Sequence, residues 1–257
     1  MIATSRACQN SKPRPDGVAL EIVVQNVSGA RAAMAAGADR LELCSELRVG
    51  GLTPSAGMVE MVLEAVAGRP GTVQALVRSR PGGYVYGDEE VELMCRDIRA
   101  LKTMGVHGVV VGALSPNRTI DLLALERWMQ AADGLPVTFH RALDVCIDPV
   151  KELALLAGTG VGRVLTSGGA ARTIDGLALL ESMVRERPAG IQVMAGGGVR
   201  LADIGTLVRA GVDAVHLSAK ASRMDAHPAS PGDVVQEVDG TSADVVARAQ
   251  REIARAL

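Results

Sequence analysis

The sequence predicts an α/β fold of the (β/α)8 type, formed by a single domain. Short β-branched apolar runs alternate eight times with longer segments of helical period. The runs begin roughly 20–35 residues apart, which is the length of one strand-plus-helix unit. One helix-to-strand joint also recurs, as Ala-Gly-Ala-Asp-Arg at 36–40, Thr-Gly-Val-Gly-Arg at 159–163 and Ala-Gly-Val-Asp-Ala at 210–214.

Eight segments are predicted as the strands of a closed parallel sheet, because each is short and rich in β-branched residues. In chain order they are Ala19–Val24, Arg40–Cys44, Val73–Arg78, Gly108–Gly112, Pro136–His140, Arg163–Thr166, Ile191–Ala195 and Ala214–Ser218.

The amphipathic segments between and after these strands are predicted as helices. They are Val27–Ala36, Ala56–Ala67, Asp88–Met104, Asp121–Ala132, Pro149–Ala157, Ile174–Glu186, Leu201–Ala210 and Ser242–Ala256. Asp121 and Asp148 suit the N-cap position, and Pro149 suits the first helical position. The glycines at positions typical of a C-terminal cap are Gly37, Gly105 and Gly211.

A doubly wound open sheet is the main alternative fold. It is disfavoured because no Gly-x-Gly-x-x-Gly motif follows the first strand. We expect residues 1–17 to be a disordered leader and residues 18–257 to form one TIM-type barrel. Residues 221–240 are predicted as a polar loop before the last helix.

Composition excludes several classes of function. With 27 basic and 29 acidic residues the net charge is −2, so the chain has no global field to attract nucleic acid or a membrane surface. One tryptophan, two tyrosines and one phenylalanine are too few for a stacking groove for single strands. No apolar run approaches the length that spans a bilayer. Four cysteines without a Cys-x-x-Cys pair fit a reducing compartment, so we expect a soluble cytoplasmic protein.

Charged side chains are predicted inside the barrel, at the carboxyl ends of the strands where barrel enzymes place their chemistry. Because strand side chains alternate between two faces, residues flanked by outward leucines and isoleucines point inward. The inward set is Glu21, Glu42, Arg78, His140 and His216, with Cys44 and Arg80 nearer the rim.

Two interpretations of this cluster are open. In one, Arg78 bridges Glu21 and Glu42 as a structural ion-pair plug, since buried charges need partners. In the other, the cluster is a binding or catalytic site, in which coupling between two carboxylates raises the pKa of one into the general-acid range.

The fifth strand ends in Thr-Phe-His-Arg-Ala-Leu-Asp, residues 138–144, which places an imidazole at a strand end. His140 suits an acid, a base or a metal ligand, with Arg141 and Asp144 on the following loop. The alternative is a hydrogen-bonded core histidine.

Glycine-rich turns after the later strands predict an anion site, because backbone N–H groups there can approach an anion. Gly196, Gly197 and Gly198 end the seventh strand, and Ser218 ends the eighth. The alternative is that the glycines only permit a tight turn.

Cys44 is the one thiol predicted at a strand end within the mouth. Thiolate and imidazole ligands suit a soft metal such as Cu(I), whereas a buried structural cysteine is the competing interpretation.

Taken in order, the strand-end phrases resemble the CutC family of copper homeostasis proteins. The phrases are Leu20-Glu21-Ile22, Gly37 to Cys44, Gly50-Gly51-Leu52-Thr53-Pro54-Ser55, Arg78-x-Arg80 running to Tyr86, Val111 to Leu114, Thr138 to Ala142, Arg163 to Gly169, Met194 to Val199 and His216 to Ala219. The resemblance implies a cytoplasmic TIM-type barrel that binds Cu(I) and assembles as a homodimer or homotetramer.

The chain departs from the family pattern at two places. The family often has Leu-Glu-x-Cys in its first strand, where this chain has Val23, so Cys44 is the metal ligand that the resemblance retains. The family phrase Arg-Pro-Arg-Gly-Gly-Asp is represented by Arg78-Ser79-Arg80-Pro81-Gly82-Gly83, which keeps both arginines and lacks the acidic residue.

Two functional hypotheses therefore stand. The first is a copper homeostasis protein that binds Cu(I) through Cys44. The second is a barrel enzyme for a small phosphorylated or carboxylated metabolite, with the catalytic set Glu21, Glu42, Arg78, His140 and Asp144 and the anion-binding set Arg80, Gly196, Gly197, Gly198 and Ser218.

Overall fold

The computed structural model describes residues 17–67, 69–225, 227 and 236–257, and it contains a closed parallel barrel of eight strands. Its strands are β1 (Ala19–Val24), β2 (Arg40–Leu43), β3 (Val73–Leu76), β4 (Gly108–Val111), β5 (Val137–Phe139), β6 (Arg163–Thr166), β7 (Gln192–Gly196) and β8 (Ala214–Leu217). β1 pairs with both β2 and β8, which closes the sheet and excludes the doubly wound alternative.

The helices surround the barrel, each near its predicted position. They are α1 (Val27–Ala35), α2 (Ala56–Ala65), α3 (Asp88–Met104), α4 (Leu122–Ala132), α5 (Pro149–Leu155), α6 (Leu177–Glu186), α7 (Ile204–Arg209) and α8 (Ala243–Ala256). Short 3-10 turns precede α6 and α7, where a continuous helix was predicted.

Several predicted helix boundaries are confirmed by the hydrogen bonds of their caps. The Asp121 and Asp148 side chains accept backbone N–H bonds at the starts of α4 and α5. Gly105 ends α3 with a φ of 92°, in the left-handed region that glycine enters readily.

The alternation along the strands divides the molecule into two regions. Leu20, Ile22, Leu41 and Leu43 are fully buried between the sheet and the helices, in the main hydrophobic core. The intervening Glu21 and Glu42 are also buried, but they lie inside the barrel as predicted. Two small apolar clusters fill other parts of the interior, and their members are Ala19, Leu165, Met194 and Ala214 in one and Val23, Cys44, Leu76 and Val110 in the other.

The prediction of a polar loop over residues 221–240 is wrong at both of its ends. Lys220–Asp225 forms β9 and Gln236–Thr241 forms β10, and the two pair antiparallel. Backbone hydrogen bonds hold this pair, and neither strand shows the regular apolar alternation by which a strand is recognised in sequence.

Residues 1–16 of the predicted leader lie outside the described residues. No helix in the described part of the chain is long and apolar enough to cross a lipid bilayer.

Candidate functional site

A cavity of about 450 Å³ opens at the carboxyl ends of the barrel strands. Its polar lining includes Glu42, Tyr84, His140, Arg141, Gly197, Gly198, His216 and Ser218. The cavity therefore collects residues from β2 and β8 and from the turns that follow β5 and β7, at the end of the barrel where the sequence predicted a site.

Beneath the cavity, each oxygen of the Glu21 carboxylate has one basic partner. Arg40 Nε donates to Oε2 at 2.9 Å, and His216 Nδ1 lies 2.9 Å from Oε1. Burial alone raises the pKa of a carboxyl, but the Arg40 charge and the His216 hydrogen bond outweigh burial and hold the pKa of Glu21 far below its usual value. Glu21 is therefore a permanent anion.

The predicted plug, in which Arg78 bridges the two glutamates, is wrong. Arg78 instead donates to the carbonyl oxygens of Val49 (2.9 Å), Gly51 (3.0 Å) and Gly82 (2.6 Å). Its guanidinium also lies over the Tyr84 ring, 5.4 Å from the ring centre. Arg78 thus holds together the loops that follow β2 and β3, and the ion-pair partner of Glu21 is Arg40.

Glu42 is 6% exposed and lines the cavity, and its Oε2 makes no hydrogen bond with any described residue. Burial raises the pKa of this carboxyl to about 7, and the nearby charge of Glu21 acts in the same direction while that of His216 opposes it. The carboxyl therefore exists in both protonation states near neutral pH.

His216 lies close to both glutamates. Burial lowers the pKa of its imidazole, but the hydrogen bond to Glu21 and the charges of both glutamates outweigh burial and raise it. One donor atom from each of Glu21, Glu42 and His216 lies within 4.8 Å of the others. A divalent cation there would have oxygen and nitrogen ligands, but it would compete with Arg40 for Glu21.

His140 is held in a fixed orientation at the cavity. Its Nδ1 accepts a hydrogen bond from the Ala142 backbone N–H at 3.2 Å, and its ring centre lies 4.8 Å from that of Tyr84. Burial, together with the Arg78 charge, lowers the pKa of the imidazole to about 3. His140 is therefore neutral at physiological pH.

Arg141 faces the cavity from the loop after β5, and Arg48 and Lys220 are further basic residues of the lining. Asp144 Oδ2 accepts from Arg141 Nε at 2.9 Å, and Ser167 Oγ accepts from its Nη2 at 3.0 Å. Asp144 also accepts from the Ser167 backbone N–H and the Thr166 hydroxyl. Asp144 thus orients Arg141 and the β6 turn, and it is absent from the cavity lining.

The glycine turn after β7 contributes Gly197 and Gly198 to the cavity wall, and Ser218 joins them from the end of β8. Gly197 has a φ of +118°, and a Cβ there would lie 2.8 Å from Arg141 Cζ. Only glycine therefore allows the guanidinium to pack against this turn. Gly196 lies behind the wall, where a Cβ would meet Leu165 and His216.

Arg80, which was also predicted to bind the anion, is not among the lining residues of the cavity. Its guanidinium is paired with Glu90 and donates to the Val85 carbonyl oxygen at 2.8 Å. The described structure thus brings together Glu42, His140 and the glycine turn of the predicted site, but not Arg80.

Cys44 does not fit a Cu(I) site in its present form. The thiol is buried among Val23, Leu76 and Val110, and burial together with the Glu42 charge raises its pKa far above the usual value. Among the described residues, the one cluster of three or more possible metal ligands contains two carboxylates and an imidazole, and no thiol. Cu(I) favours soft sulfur ligands, so this donor set suits it poorly.

Arg40 and Arg163, which were not among the residues predicted for the site, are both buried inside the barrel. Arg163 donates to Thr138 Oγ1 at 3.1 Å and to Gln192 Oε1 at 3.1 Å. The signal was present, because Arg40 lies two residues before Glu42 on the same strand and so shares its face.

Comparison with known proteins agrees with this architecture. The model of the CutC family matches residues 18–221. A CutC family protein of Pasteurella multocida (strain Pm70) is 40% identical over 210 residues, which are 81% of this chain and 85% of the relative. A CutC family protein of Xylella fastidiosa (strain Temecula1) is 39% identical over 232 residues, which are 88% of this chain and 85% of the relative.

Solved structures give the same result. A crystal structure from Streptococcus agalactiae, whose name refers to copper homeostasis and CutC, has a TM-score of 0.74 and 30% identity and covers 78% of this chain and 98% of that one. A phosphoribosyl anthranilate isomerase from Thermus thermophilus has a TM-score of 0.55 at 14% identity, over 93% of this chain and 99% of that one, and this likeness shows the fold alone. From the matched range, the identities and the shared barrel, we conclude that the chain belongs to the CutC family.

Proposed function

We propose that this chain is an enzyme that binds a small anionic metabolite in the mouth of the barrel and transfers a proton through Glu42. The observation that carries the proposal is the Glu42 carboxyl, which is buried at the cavity with Oε2 unpaired among the described residues. Its pKa of about 7 supports this role, because general acid–base catalysis works best when the pKa lies near the working pH.

The residues behind Glu42 support the same role. Glu21 is held between Arg40 and His216 by hydrogen bonds of 2.9 Å each, and its lowered pKa keeps it ionised at neutral pH. A fixed anion and a fixed imidazole beside Glu42 give it a constant electrostatic environment. Of the two glutamates that the sequence suggested as acid or base, we therefore assign the role to Glu42.

We propose that Arg141 and the Gly197–Gly198 turn bind the anionic end of the metabolite. Arg141 lines the cavity with a side chain that is 39% exposed, while Asp144 and Ser167 fix its orientation. Arginine suits phosphate and carboxylate because its planar guanidinium donates two parallel hydrogen bonds. The predicted ligand Ser218 lies on the same wall.

A direct test follows the protonation of the Glu42 carboxyl by infrared difference spectroscopy during a pH titration of the full chain. We expect a carboxyl band that titrates near pH 7 in the wild type and is absent from Glu42→Gln. The matched control is Glu60→Gln, an exposed glutamate on α2, which should keep the band. A wild type without such a band would contradict the proposal.

A role in copper homeostasis is the second candidate, favoured by the name of the Streptococcus agalactiae relative. In this chain Cys44 is the copper ligand that the family resemblance implies. Its thiol is buried against Val23, and its raised pKa keeps it protonated at neutral pH. We therefore propose that any copper-related role does not depend on tight Cu(I) binding by this thiol.

We further propose that the chain works in the cytoplasm as a homodimer or homotetramer. Support for the reducing compartment comes from Cys44, Cys95 and Cys146, which are all free thiols. Support for self-assembly comes from large exposed apolar side chains such as Leu123 (77% exposed) and Ile147 (68%). Light scattering coupled to size exclusion tests the assembly, and a monomer at all concentrations would contradict it.

A further inference from the structure

The backbone around His140 determines where this side chain points. His140 follows β5 and caps the short 3-10 turn Arg141–Val145. A Cβ at Gly112, which follows β4, would lie 2.3 Å from His140 Nδ1. Glycine at this position therefore lets the imidazole lie directly against the neighbouring strand, and the Tyr84 ring covers it from another side. The ring has little freedom to turn.

The hydrogen bonds of His140 also determine its tautomer. Nδ1 accepts from the Ala142 backbone N–H, and a ring nitrogen that accepts a hydrogen bond carries no proton. A neutral imidazole then has its proton on Nε2. The positive charges of Arg78 and Arg141, together with burial, oppose a second proton. His140 is thus a neutral donor with a fixed N–H direction.

The Nε2 atom makes no hydrogen bond with any residue in the described ranges, although His140 is only 5% exposed. Buried polar groups in native proteins are nearly always paired, so a fixed N–H left open at a cavity indicates a missing acceptor. The Glu42 Oε2 atom is unpaired in the same way, and both residues line the same cavity.

We infer that the Nε2–H of His140 binds a carbonyl-type oxygen of the metabolite, next to the atom on which Glu42 acts. The inference rests on the proposed function and names its substrate class: a small molecule with a carbonyl or carboxylate oxygen near one end and an anionic group near the other. His140 donates a hydrogen bond to the oxygen, Arg141 binds the anionic group, and Glu42 accepts the proton.

The reaction class that this arrangement supports is proton transfer at a carbon next to a carbonyl. The Glu42 carboxylate takes the proton from that carbon, the C–H electron pair forms a C=C bond, and the carbonyl π pair moves to the oxygen. The His140 Nε2–H donates a hydrogen bond to this oxygen as its negative charge develops. When the carbon that loses the proton also carries a hydroxyl, Glu42 returns the proton to the former carbonyl carbon, the hydroxyl proton passes to the oxygen bound by His140, and the hydroxyl oxygen becomes the new carbonyl oxygen. Substrate and product are then isomers, and no oxidant or second substrate is needed.

The first measurement tests the tautomer in the full chain labelled with 15N-histidine. We expect the Nε2–H tautomer at His140 from pH 5 to pH 8. His107 is an internal control, because its Nδ1 also accepts a backbone N–H, from Val73 at 3.0 Å, but it precedes β4 at the opposite end of the barrel. An Nδ1–H tautomer or an imidazolium at His140 in this range would overturn the inference.

The second measurement compares two probes that differ in the acceptor oxygen. Phosphoglycolate has a phosphate and a carboxylate, whereas ethyl phosphate has the phosphate alone. We expect the wild type to bind phosphoglycolate about tenfold more tightly, as one added hydrogen bond implies, with a shift of the His140 Nε2–H signal and none at His107. His140→Leu should lose this preference, and His140→Gln, which keeps a side-chain N–H, should recover part of it.

The outcomes separate this inference from the proposed function. If the wild type binds both probes equally, the anion site stands and the role of His140 is overturned. If it binds neither probe, the proposed anion site is overturned and the inference with it. If His140→Leu does not fold, the tautomer and the Nε2–H shift in the wild type still decide the question.

Discussion

Glu21 Oε1 lies 2.9 Å from His216 Nδ1 inside the barrel, while the other oxygen of the same carboxylate accepts from Arg40. This one carboxylate therefore joins β1 to both of its neighbours, β2 and β8, at the seam where the sheet closes. The relationship makes Glu21 a structural anion on which the site is built.

Replacing Glu21 with Gln should lower the free energy of unfolding by about 3–5 kcal/mol, because Arg40 would stay buried without its anion. Urea unfolding at pH 7 measures the change. Glu60→Gln on the surface of α2 is the control and should stay within about 0.5 kcal/mol of the wild type. A Glu21 variant as stable as the control would contradict the assignment.

The pH dependence of this contribution has a definite sign. The pKa of Glu21 is lower in the folded chain than its unfolded value of 4.5, so the stabilisation is fully present above that value and is lost as the pH falls. We expect the stability difference between wild type and Glu21→Gln to shrink on acidification below pH 4.5. A difference that stays constant into strong acid would argue against an ionised Glu21.

Glu42 should have the opposite effect on stability. Its pKa rises from 4.5 to about 7 on folding, so between these values the folded chain holds a proton that the unfolded chain has released. Stability due to this carboxyl therefore decreases as the pH rises through this range and levels off above it. Glu42→Gln should remove that decrease and exceed the wild type at pH 8 by on the order of 3 kcal/mol. Parallel pH profiles for the two proteins would contradict the raised pKa.

Tight Cu(I) binding is not expected, because Cys44 has Val23 rather than a second thiol beside it. Titration against a Cu(I) chelator should show little competition by the wild type and little change in Cys44→Ala. Val23→Cys should gain affinity, since Val23 and Cys44 lie in the same small cluster. Tight one-to-one binding by the wild type that Cys44→Ala abolishes would restore the copper assignment.

Arg141 and Arg80 give a direct comparison of the two arginines proposed for the anion. Arg141→Ala should weaken phosphoglycolate binding roughly 10–100-fold, the effect of one lost charge-assisted contact. Arg80→Ala should leave that affinity unchanged, because Arg80 pairs with Glu90 away from the cavity. Calorimetry at fixed salt measures both, and a loss confined to Arg80→Ala would support the ligand that the sequence suggested.

The barrel itself was predictable from sequence because its strands are apolar on the helix side in strict alternation. Leu41 and Leu43 on one face placed Glu42 on the other, and the structure confirms this assignment. By the same rule Arg40, two residues before Glu42, shares its inward face. Arg40 was not predicted for the site because it also ends the helix-to-strand sequence Ala-Gly-Ala-Asp-Arg at 36–40.

Other features have no local pattern in sequence. The partners of Arg78 are carbonyl oxygens on two loops, and backbone acceptors are the same for every residue type. The orientation of the His140 imidazole depends on a close approach of its Nδ1 edge to Gly112, which is 28 positions away. Such contacts depend on the register between neighbouring strands, and the periodicity of a single strand does not determine that register.

The two-stranded sheet of β9 and β10 also reaches the mouth of the barrel. Asp239 on β10 lines the cavity and pairs with Lys220 at 2.9 Å and with Arg48 at 3.8 Å. Glu42, His140 and Arg141 lie within the range that matches the family, 18–221, whereas Asp239 lies beyond it. A substitution at Asp239 would therefore change the charge at the entrance of the cavity without altering a residue of the matched range.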